Sequence, residues 1–413
     1  MVAIGYLHAR TVRSGRFTLA ALGPGHAAVR HHVRAGGTAC PTPPVYPENM
    51  QAVAVFPATR EARVIDHPEP QIDSPTQAKL RMLEVGVCGT DREIITFQYG
   101  IPPDGCDYLI IGHESLAQVV ETGPQVTSVK PGDLVVLTVR RPCHHPTCLA
   151  CTQGRQDYCY TGDFQERGIK QLHGYMTEFV VEEDRYLNPV PAELRDVAVL
   201  VEPLTIAEKS IDQLLTVQKR LPWISPTQRH NAVVLGAGPV GLLGAMALTV
   251  AGFNVTVYSR THAHQDKNDI VSGIGARFIP AEKYSVDDMA KEAGPIDVVY
   301  EAVGASSVAF DVIPKLGPNA VFIFTGVPGR KGPIQVDTDF IMRDVVLNNQ
   351  VILGSVNAPP AAFQAAIRDL GEFMQRWPGA VRALITARFP LDRALQPLGE
   401  NAGGIKNVIA VAT

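Results

Sequence analysis

Cysteine is scarce in this chain, which has seven cysteines among 413 residues. Four of the seven lie close together, between Cys143 and Cys159. So few cysteines in so long a chain exclude a disulfide framework, and clustered thiols are more typical of a metal site in a reducing compartment. We therefore predict a cytoplasmic protein whose grouped thiols bind a metal.

An excess of either charge is also missing, because 37 Lys and Arg residues stand against 41 Asp and Glu residues, giving a formal net charge of -4. This balance predicts no attraction to nucleic acid or to an anionic membrane. Hydrophobic residues make up 46% of the chain, enough for two or three domains with a large core. The expected partners are small molecules and further copies of the chain, as a dimer or tetramer.

Residues 1–49 contain five arginines but no lysine, and they lack a continuous apolar stretch. That lack excludes a secretory signal peptide, whereas the arginine bias would suit an organelle transit peptide. We favour a third interpretation, a leader over residues 1–49 that is disordered or not native, because strand-like alternation begins only at Met50.

From Met50 to about residue 204, short apolar runs punctuated by Gly and Pro predict a mostly antiparallel β domain. The later sequence alternates between strands and helices, which predicts right-handed βαβ units and a parallel sheet. The expected strands of that sheet are residues 232–235, 254–258, 296–300, 320–325 and 351–354, the expected helices are 205–220 and 360–377, and two short strand-like pieces follow at 383–390 and 406–412.

Residues 232–253 carry no charge and are long enough to span a bilayer, but a proline and five glycines favour a strand, a tight turn and a buried helix. The glycines follow the G-x-G-x-x-G spacing directly after the strand, where the helix N-terminus would face a pyrophosphate. The sequence therefore predicts a dinucleotide site. Its residues are Gly236, Gly238, Pro239, Val240 and Gly241.

The second strand of this unit ends in Ser259, Arg260 and Thr261 rather than in an acidic residue that would bind the ribose of NAD. A hydroxyl beside a guanidinium suits the 2'-phosphate of NADP. NADP is thus the preferred cofactor and NAD a second one. The alternative is that Arg260 is only a solvent-exposed loop cation.

The cysteine lobe, residues 140–160, places Cys143, Cys148, Cys151 and Cys159 with four, two and seven residues between them. Four thiolates at such intervals can close around one tetrahedral zinc and leave no open position, which is a structural arrangement. The alternatives are four unrelated buried thiols, or a nearby histidine in place of one cysteine.

A second set of metal-ligand types lies outside the lobe. Cys88 and Thr90 belong to "GVCGTD", His113 and Glu114 to "GHE", and Glu202 precedes the first helix of the nucleotide-binding region. A catalytic zinc takes three such ligands and keeps one position open. Each residue alone would be unremarkable, since a lone cysteine is usually a packed apolar residue and a His–Glu pair usually lies on the surface.

Taken in order, GVCGTD, GHE, the four cysteines, VEP and VLGAGPVG resemble the zinc-dependent medium-chain dehydrogenase/reductase superfamily. "GRQDYC", "TGDFQERGI", "LHGYMTEF", "EPLTIAEKSI", "VYEAVG" and "ILGSVNA" resemble, within it, the archaeal-type glucose 1-dehydrogenases. The likeness covers residues 50–413. It implies an α/β protein with a GroES-like, mostly antiparallel β catalytic domain (50–206 and 358–413) and a Rossmann doubly wound domain (207–357).

The resemblance implies a catalytic zinc at Cys88, His113 and Glu202, with Glu114 reaching the metal or the sugar. Thr90 is expected near the reacting oxygen, and Thr90, Glu114 and Glu202 are all expected to contact substrate.

Glu166 and Asn357 match positions that hydrogen-bond sugar hydroxyls in that family, and Asn357 is also expected at the cofactor. Two departures are visible. Val139 replaces a sugar-binding Asn, and the first gap of the cysteine lobe is two residues longer than usual.

The expected reaction is zinc-dependent oxidation of an aldose at C1 to its lactone, with hydride transfer to NADP or NAD. D-glucose is the first choice of sugar, and D-galactose and D-xylose stay open. The alternatives are a zinc-dependent dehydrogenase of another polyol or secondary alcohol, and a non-catalytic zinc- and NADPH-binding redox sensor.

Overall fold

A computed structural model describes residues 49–222, 230–260, 265–329, 332–399 and 403–412. Residues 1–48 of the predicted leader, and Thr261 of the predicted cofactor site, lie outside these ranges. The bounds of the elements are given next, numbered along the chain.

The strands are β1 Asn49–Phe56, β2 Glu61–Pro68, β3 Gln77–Gly86, β4 Leu109–Ile110, β5 Glu114–Thr122, β6 Leu134–Leu137, β7 Arg140–Arg141, β8 Gln165–Arg167, β9 Gln171–Leu172, β10 Phe179–Glu183, β11 Leu187–Val190, β12 Asn231–Leu235, β13 Asn254–Ser259, β14 Arg277–Pro280, β15 Ile296–Glu301, β16 Leu316–Phe324, β17 Val351–Gly354, β18 Ile385–Pro390 and β19 Lys406–Ala410. The α-helices are α1 Gly89–Ile95, α2 Leu149–Thr152, α3 Val201–Gln218, α4 Pro239–Val250, α5 Gln265–Gly273, α6 Val286–Ala293, α7 Ser306–Val312, α8 Thr338–Leu347, α9 Pro360–Arg376 and α10 Pro378–Leu384. Short 3-10 helices are Gln156–Tyr158, Asp184–Tyr186, Ala192–Leu194, Ala198–Leu200, Ile313–Lys315 and Leu391–Arg393.

The first half of the described chain is built mostly from antiparallel strand pairs, as predicted, with β8 and β9 pairing in parallel. In the largest sheet the strands run in the order β11-β6-β5-β3-β19-β18, and β10 also pairs with β3. Strand β19, near the end of the chain, lies antiparallel to β3 and so completes the sheet formed by the first half. The final segment therefore belongs structurally with the N-terminal region.

The second half contains a six-stranded sheet in the order β14-β13-β12-β15-β16-β17, with every pair parallel. This is the doubly wound order, in which the direction of strand addition reverses between β12 and β15. The predicted α/β fold class is confirmed. Strand β14, which the sequence pattern did not predict, extends the sheet beyond β13.

The uncharged stretch 232–253 forms β12, a tight turn and α4, with the apolar side chains of α4 buried against the sheet. Among the helices of the described ranges, none is both long and apolar enough to cross a membrane.

Helix α3 joins the two halves, since one hydrophobic core contains residues of β5, α3, α4, α9 and the parallel sheet. It begins at Val201 and crosses the predicted boundary at residues 206 and 207. The exact domain limits, 50–206, 207–357 and 358–413, stay a prediction.

Candidate active site

Cys88 lies at the start of α1, directly after β3. Its backbone N–H donates to Asp91 Oδ2 at 2.8 Å, so the first turn of the helix is closed by an acidic side chain. The Thr90 hydroxyl lies 3.9 Å from the Cys88 sulfur. The turn therefore presents a thiol and a hydroxyl side by side.

His113 and Glu114 come from the start of β5, and both are buried. His113 Nδ1 lies 3.4 Å from Oδ1 of Asp91, which is itself fully buried. Burial alone would lower the pKa of His113, but the Asp91 carboxylate raises it well above its usual value. With Nδ1 directed at Asp91, Nε2 is the nitrogen left for a metal.

The ligand atoms of Cys88, His113 and Glu114 all lie within 4.8 Å of one another. Lys406, from β19, places its ammonium 2.7 Å and 2.5 Å from the two oxygens of Glu114, and 3.1 Å from the Val87 carbonyl. Glu114 is thus held by a buried cation at the edge of the group of donors.

Glu202 is the second residue of α3, and its carboxyl group interacts electrostatically with His113 and Glu114. Burial raises its pKa to about 7, because the loss of hydration outweighs the opposing effect of the nearby His113 and Lys406, and Glu114 adds to the rise. Its oxygens are not among the ligand atoms that lie within 4.8 Å of one another in the described residues. The structure therefore brings Glu202 near the metal group without completing it.

Glu166 and Asn357, the predicted sugar ligands, meet each other. The Asn357 amide donates to Glu166 Oε1 at 3.0 Å, and Nε of Arg140 donates to the same oxygen at 3.0 Å. Asn357 adopts a positive φ of 58°, and its own Oδ1 accepts the Ala358 N–H, so its side chain is held in place locally. Neither donor bonds to the second oxygen of Glu166.

The four thiols of the cysteine lobe also converge, with all four sulfurs within 4.8 Å of one another. Burial raises the pKa of the Cys151 thiol to about 12. At Cys159, hydrogen bonds from Thr161 and the Gly162 backbone outweigh the effect of burial and lower the pKa to about 6. Such neighbours cannot all be thiolates without a cation between them, which fits the predicted tetrahedral zinc.

The dinucleotide motif lies at the C-terminal end of β12. Gly236 has a φ of +104°, and a Cβ on Gly241 would lie 2.1 Å from the Gly236 carbonyl oxygen, so both positions require glycine. Gly238 caps α4, and Pro239 and Val240 are the first two residues of the helix. This is the close strand-to-helix turn at which a pyrophosphate binds.

A pocket of about 590 Å³ opens beside this turn. Its polar lining includes Ser259 and Arg260 at the end of β13 and Lys267 on α5. The Ser259 hydroxyl accepts the Ala237 N–H at 3.1 Å, so this side chain also holds the glycine turn. Two cations therefore line this pocket.

Comparisons with known proteins identify the family. Residues 195–411 match the family described as "Glucose dehydrogenase C-terminus", and residues 74–192 match "Alcohol dehydrogenase GroES-like domain". The chain is 37% identical over 363 residues to "Glucose 1-dehydrogenase" of Methanocella arvoryzae, an alignment that covers 88% of this chain and 99% of that protein. It is 39% identical over 367 residues to the protein of the same name from Thermoproteus tenax, with 88% and 100% covered.

The chain belongs to the glucose 1-dehydrogenase family. A solved structure of a member, "Haloferax mediterranei glucose dehydrogenase in complex with NADP, Zn and gluconolactone", matches with a TM-score of 0.79 and 32% identity, covering 88% of this chain and 100% of that one. The resemblance found in the sequence is thereby confirmed, together with the expectation of zinc and NADP as cofactors.

Three residues of this chain hold predicted site residues in place but were not predicted from the sequence: Asp91, Arg140 and Lys406. Asp91 gave a local signal, because it is the acidic residue three positions after Cys88 at a helix start. Arg140 and Lys406 gave none, since each meets its carboxylate partner only through strand pairing.

Glu301 is a fourth missed residue, at the end of β15 where the strand order reverses. One of its buried oxygens accepts the N–H groups of Val303 and Gly304 at 2.8 and 2.7 Å, and the other accepts the Gly326 N–H at 3.2 Å. It ties together two loops beside the dinucleotide pocket. It lies in the "VYEAVG" motif, which contributed to the resemblance without a role being assigned to it.

Proposed function

We propose that this protein oxidises D-glucose at C1 to the 1,5-lactone and transfers hydride to NADP, as a zinc-dependent glucose 1-dehydrogenase. The observation that carries the proposal is the combination, on one chain, of three metal donors, a buried carboxylate held by Arg140 and Asn357, and a pocket beside the dinucleotide-binding turn. The names of the relatives and the ligands of the Haloferax structure point the same way.

The donors fit a catalytic zinc, because a thiol, an imidazole and a carboxylate are suitable ligands and Asp91 orients the imidazole. Zinc at this site would lower the pKa of the anomeric hydroxyl. Cys88, His113 and Glu202 are the ligands we propose, with Glu114 either at the metal or, as here, paired with Lys406. Thr90, beside Cys88, is proposed to receive the proton of the anomeric hydroxyl and pass it outward.

The cofactor residues fit a dinucleotide, since the glycine turn leaves room for the pyrophosphate and α4 directs its free N–H groups toward it. Arg260 and Lys267 favour NADP over NAD because only NADP carries a 2'-phosphate. Asn357 lies next to Glu166 and is proposed to contact both sugar and nicotinamide, which would place C1 beside the ring.

Sugar recognition is proposed to rest on Glu114, Glu166 and Asn357. Arg140 and Asn357 both donate to Oε1 of the buried Glu166 carboxylate, and Oε2 is the oxygen that we propose accepts a sugar hydroxyl. A substrate without that hydroxyl would leave Oε2 without its partner and would be rejected. These polar groups favour an aldose over a plain secondary alcohol. Galactose and xylose stay open, since the Val139 side chain offers no hydrogen bond at the position where a relative has a sugar-binding Asn.

An assay of the purified protein tests the proposal directly. We expect lactone formation from D-glucose with NADP, weaker activity with NAD, little activity with 2-propanol, and two zinc ions per chain by elemental analysis. Activity on a secondary alcohol but on no aldose would favour the alternative function, a zinc-dependent dehydrogenase of another polyol or secondary alcohol. Cofactor binding without turnover of any sugar or alcohol would contradict the proposal that the protein is an enzyme.

We further propose a cytoplasmic homo-oligomer, a dimer or tetramer, without nucleic-acid or membrane partners. Helix α8 supports self-association because it has no buried residue and exposes Phe340, Met342 and Val346. It lies near β17, the last strand of the parallel sheet in the described chain. Exposed apolar side chains beside a sheet edge are typical of a surface that pairs with a second copy.

A further inference from the structure

Arg140, the first residue of the cysteine lobe, connects the lobe to the proposed sugar ligands. It is directly opposite Glu166 in the antiparallel pair β7–β8, and both side chains are buried, at 6% and 5% exposure. A buried ion pair is retained only when its hydrogen-bond geometry is good, because desolvation of both charges is expensive. The orientation of this guanidinium therefore fixes the orientation of the carboxylate.

The guanidinium of Arg140 is bonded on two sides. Nε and Nη2 each lie 3.0 Å from Glu166 Oε1, whereas Nη1 points the other way and lies 3.3 Å from the Asp157 carbonyl oxygen. The ring of Phe164 packs 3.8 Å beneath its central carbon. Asp157 lies between the last two cysteines of the lobe, so the lobe backbone holds one side of Arg140 and Glu166 the other.

Lys209 makes a second connection between the same regions. From α3, its ammonium lies 3.0 Å from Asp157 Oδ2 and 2.8 Å from the Val356 carbonyl oxygen. Val356 precedes Asn357, whose amide donates to Glu166. Both sugar ligands are thus tied, through one buried cation each, to the same residue of the lobe.

We propose that Arg140 and Lys209 are positioning residues for sugar recognition, through which the cysteine lobe sets the affinity for the sugar. This rests on the proposed function, in which Glu166 and Asn357 bind sugar hydroxyls. Neither cation belongs to the metal group or the cofactor pocket of the described chain. Loss of either should weaken sugar binding in ground state and transition state alike, which raises KM and leaves kcat unchanged.

The test compares Arg140→Leu with Arg141→Leu. Arg141 is the adjacent residue of β7, equally buried and ion-paired, but its partner is Glu182 rather than Glu166. Both variants should lower the melting temperature. Only Arg140→Leu should raise KM for D-glucose, by about tenfold, with kcat and KM for NADP within about twofold of the parent. Lys209→Met should raise KM by several-fold, and Arg140→Lys should recover part of the loss.

Substrates that lack one hydroxyl show whether the effect passes through Glu166. Against the 2-, 3- and 4-deoxyglucoses, the rise in KM caused by Arg140→Leu should disappear for the sugar that lacks the hydroxyl held by Glu166. Calorimetric binding of gluconolactone in the presence of NADPH gives a readout independent of turnover and should weaken equally.

Two results would overturn the inference: an equal rise in KM for the Arg140 and Arg141 variants, or an unchanged KM in Arg140→Leu. If Arg140→Leu does not fold, Arg140→Lys and Lys209→Met decide the matter by the same comparison. A parent enzyme that oxidises no sugar would instead contradict the proposed function, so the two failures are distinguishable.

Discussion

Cys88, which we propose as a zinc ligand, is a partly exposed thiol at the start of α1. Its backbone N–H donates to Asp91 Oδ2, and this bond does not involve the sulfur. Removing the sulfur therefore leaves the local structure its own hydrogen bond. The same separation does not hold for two other buried residues: Asp91 closes the first turn of α1, and Lys406 of β19 binds Glu114 of β5.

We predict that Cys88→Ala loses one of two zinc ions and at least about a hundredfold of the activity while the fold survives, because the cysteine lobe is a separate site. Zinc per chain, activity and thermal unfolding check this. Cys106→Ala is the control, since Cys106 belongs to neither group of metal donors. An active Cys88→Ala enzyme would rule out the catalytic assignment.

Arg260 is the residue that we propose to determine the choice between NADP and NAD. A charged hydrogen bond to the 2'-phosphate is worth about 1.5–3 kcal/mol, so Arg260→Ala should shift discrimination toward NAD by roughly tenfold to a hundredfold. The shift should come from KM for NADP, with KM for NAD nearly unchanged. Fluorescence titration of both cofactors, with Arg277→Ala on the next strand as control, measures it. Equal weakening of NADP and NAD would mean that Arg260 serves the loop or the pyrophosphate.

The cysteine lobe is a small element, and we predict that its stability depends on a bound metal. Its two helical turns, α2 and 156–158, are short, and three of its four cysteines are buried. So short a segment can bury little apolar surface, so a bound metal would have to supply much of its free energy of folding. The lobe in turn supports α3 through Lys209.

Cys148→Ala should therefore lower the free energy of unfolding by about 3 kcal/mol or more and remove the zinc of the lobe. Thermal unfolding together with zinc content checks this. Leu149→Ala, at the neighbouring exposed position, is the matched control and should change little. Unchanged melting with two zinc ions retained would refute a structural metal.

The contact between α3 and α9 brings two carboxyl groups together. Burial raises the pKa of Glu208 from 4.5 to about 8, and the facing Asp369 adds to the rise. The folded state thus holds this proton more tightly than the unfolded state. As pH rises from 4.5, the pKa of the unfolded chain, to about 8, the pKa of the folded protein, the free energy of unfolding must fall, because the unfolded chain releases the proton first.

Glu208→Gln removes the ionisable group and with it this loss of stability at higher pH. We expect it to stabilise the protein by about 1–3 kcal/mol near pH 8, and by much less near pH 5.5, where the native carboxyl is already protonated. Denaturant unfolding at the two pH values checks the difference. Glu372→Gln, at the more exposed ion pair with Arg376 on α9, serves as control. A gain that is the same at both pH values would contradict the assignment.

At the scale of the whole molecule, the exposed face of α8 predicts self-association. Introducing charge there, as Met342→Glu with Val346→Glu, should shift the protein toward a monomer, because two like-charged faces would meet across a symmetric interface. Sedimentation velocity measures the outcome. Leu215→Glu, at another exposed apolar position on α3, is the control and should not change the mass of the oligomer. An oligomer unaffected by the α8 charges would place the interface elsewhere.

The motifs of the sequence suffice for the family, the doubly wound sheet and most of the proposed site. Cys88 with Thr90, His113 with Glu114, the glycine turn and the four cysteines are local patterns, in which the chemistry follows from spacing within a few residues. Local patterns of this kind do not depend on contacts with distant parts of the chain. The strands at 232–235 and 351–354 and the helix after Pro359 also follow from local sequence, and their predicted bounds agree with the structure within a few residues.

Pairings between distant residues required the tertiary structure. Lys406 reaches Glu114 across 292 positions because β19 returns to pair with β3, and Arg140 meets Glu166 because β7 lies in register with β8. Strand β14 was missed because its short, mixed sequence gains its stability from the neighbouring strand. Register and burial arise only when the chain is packed, so the residues that orient the proposed zinc and sugar ligands depend on the packed fold.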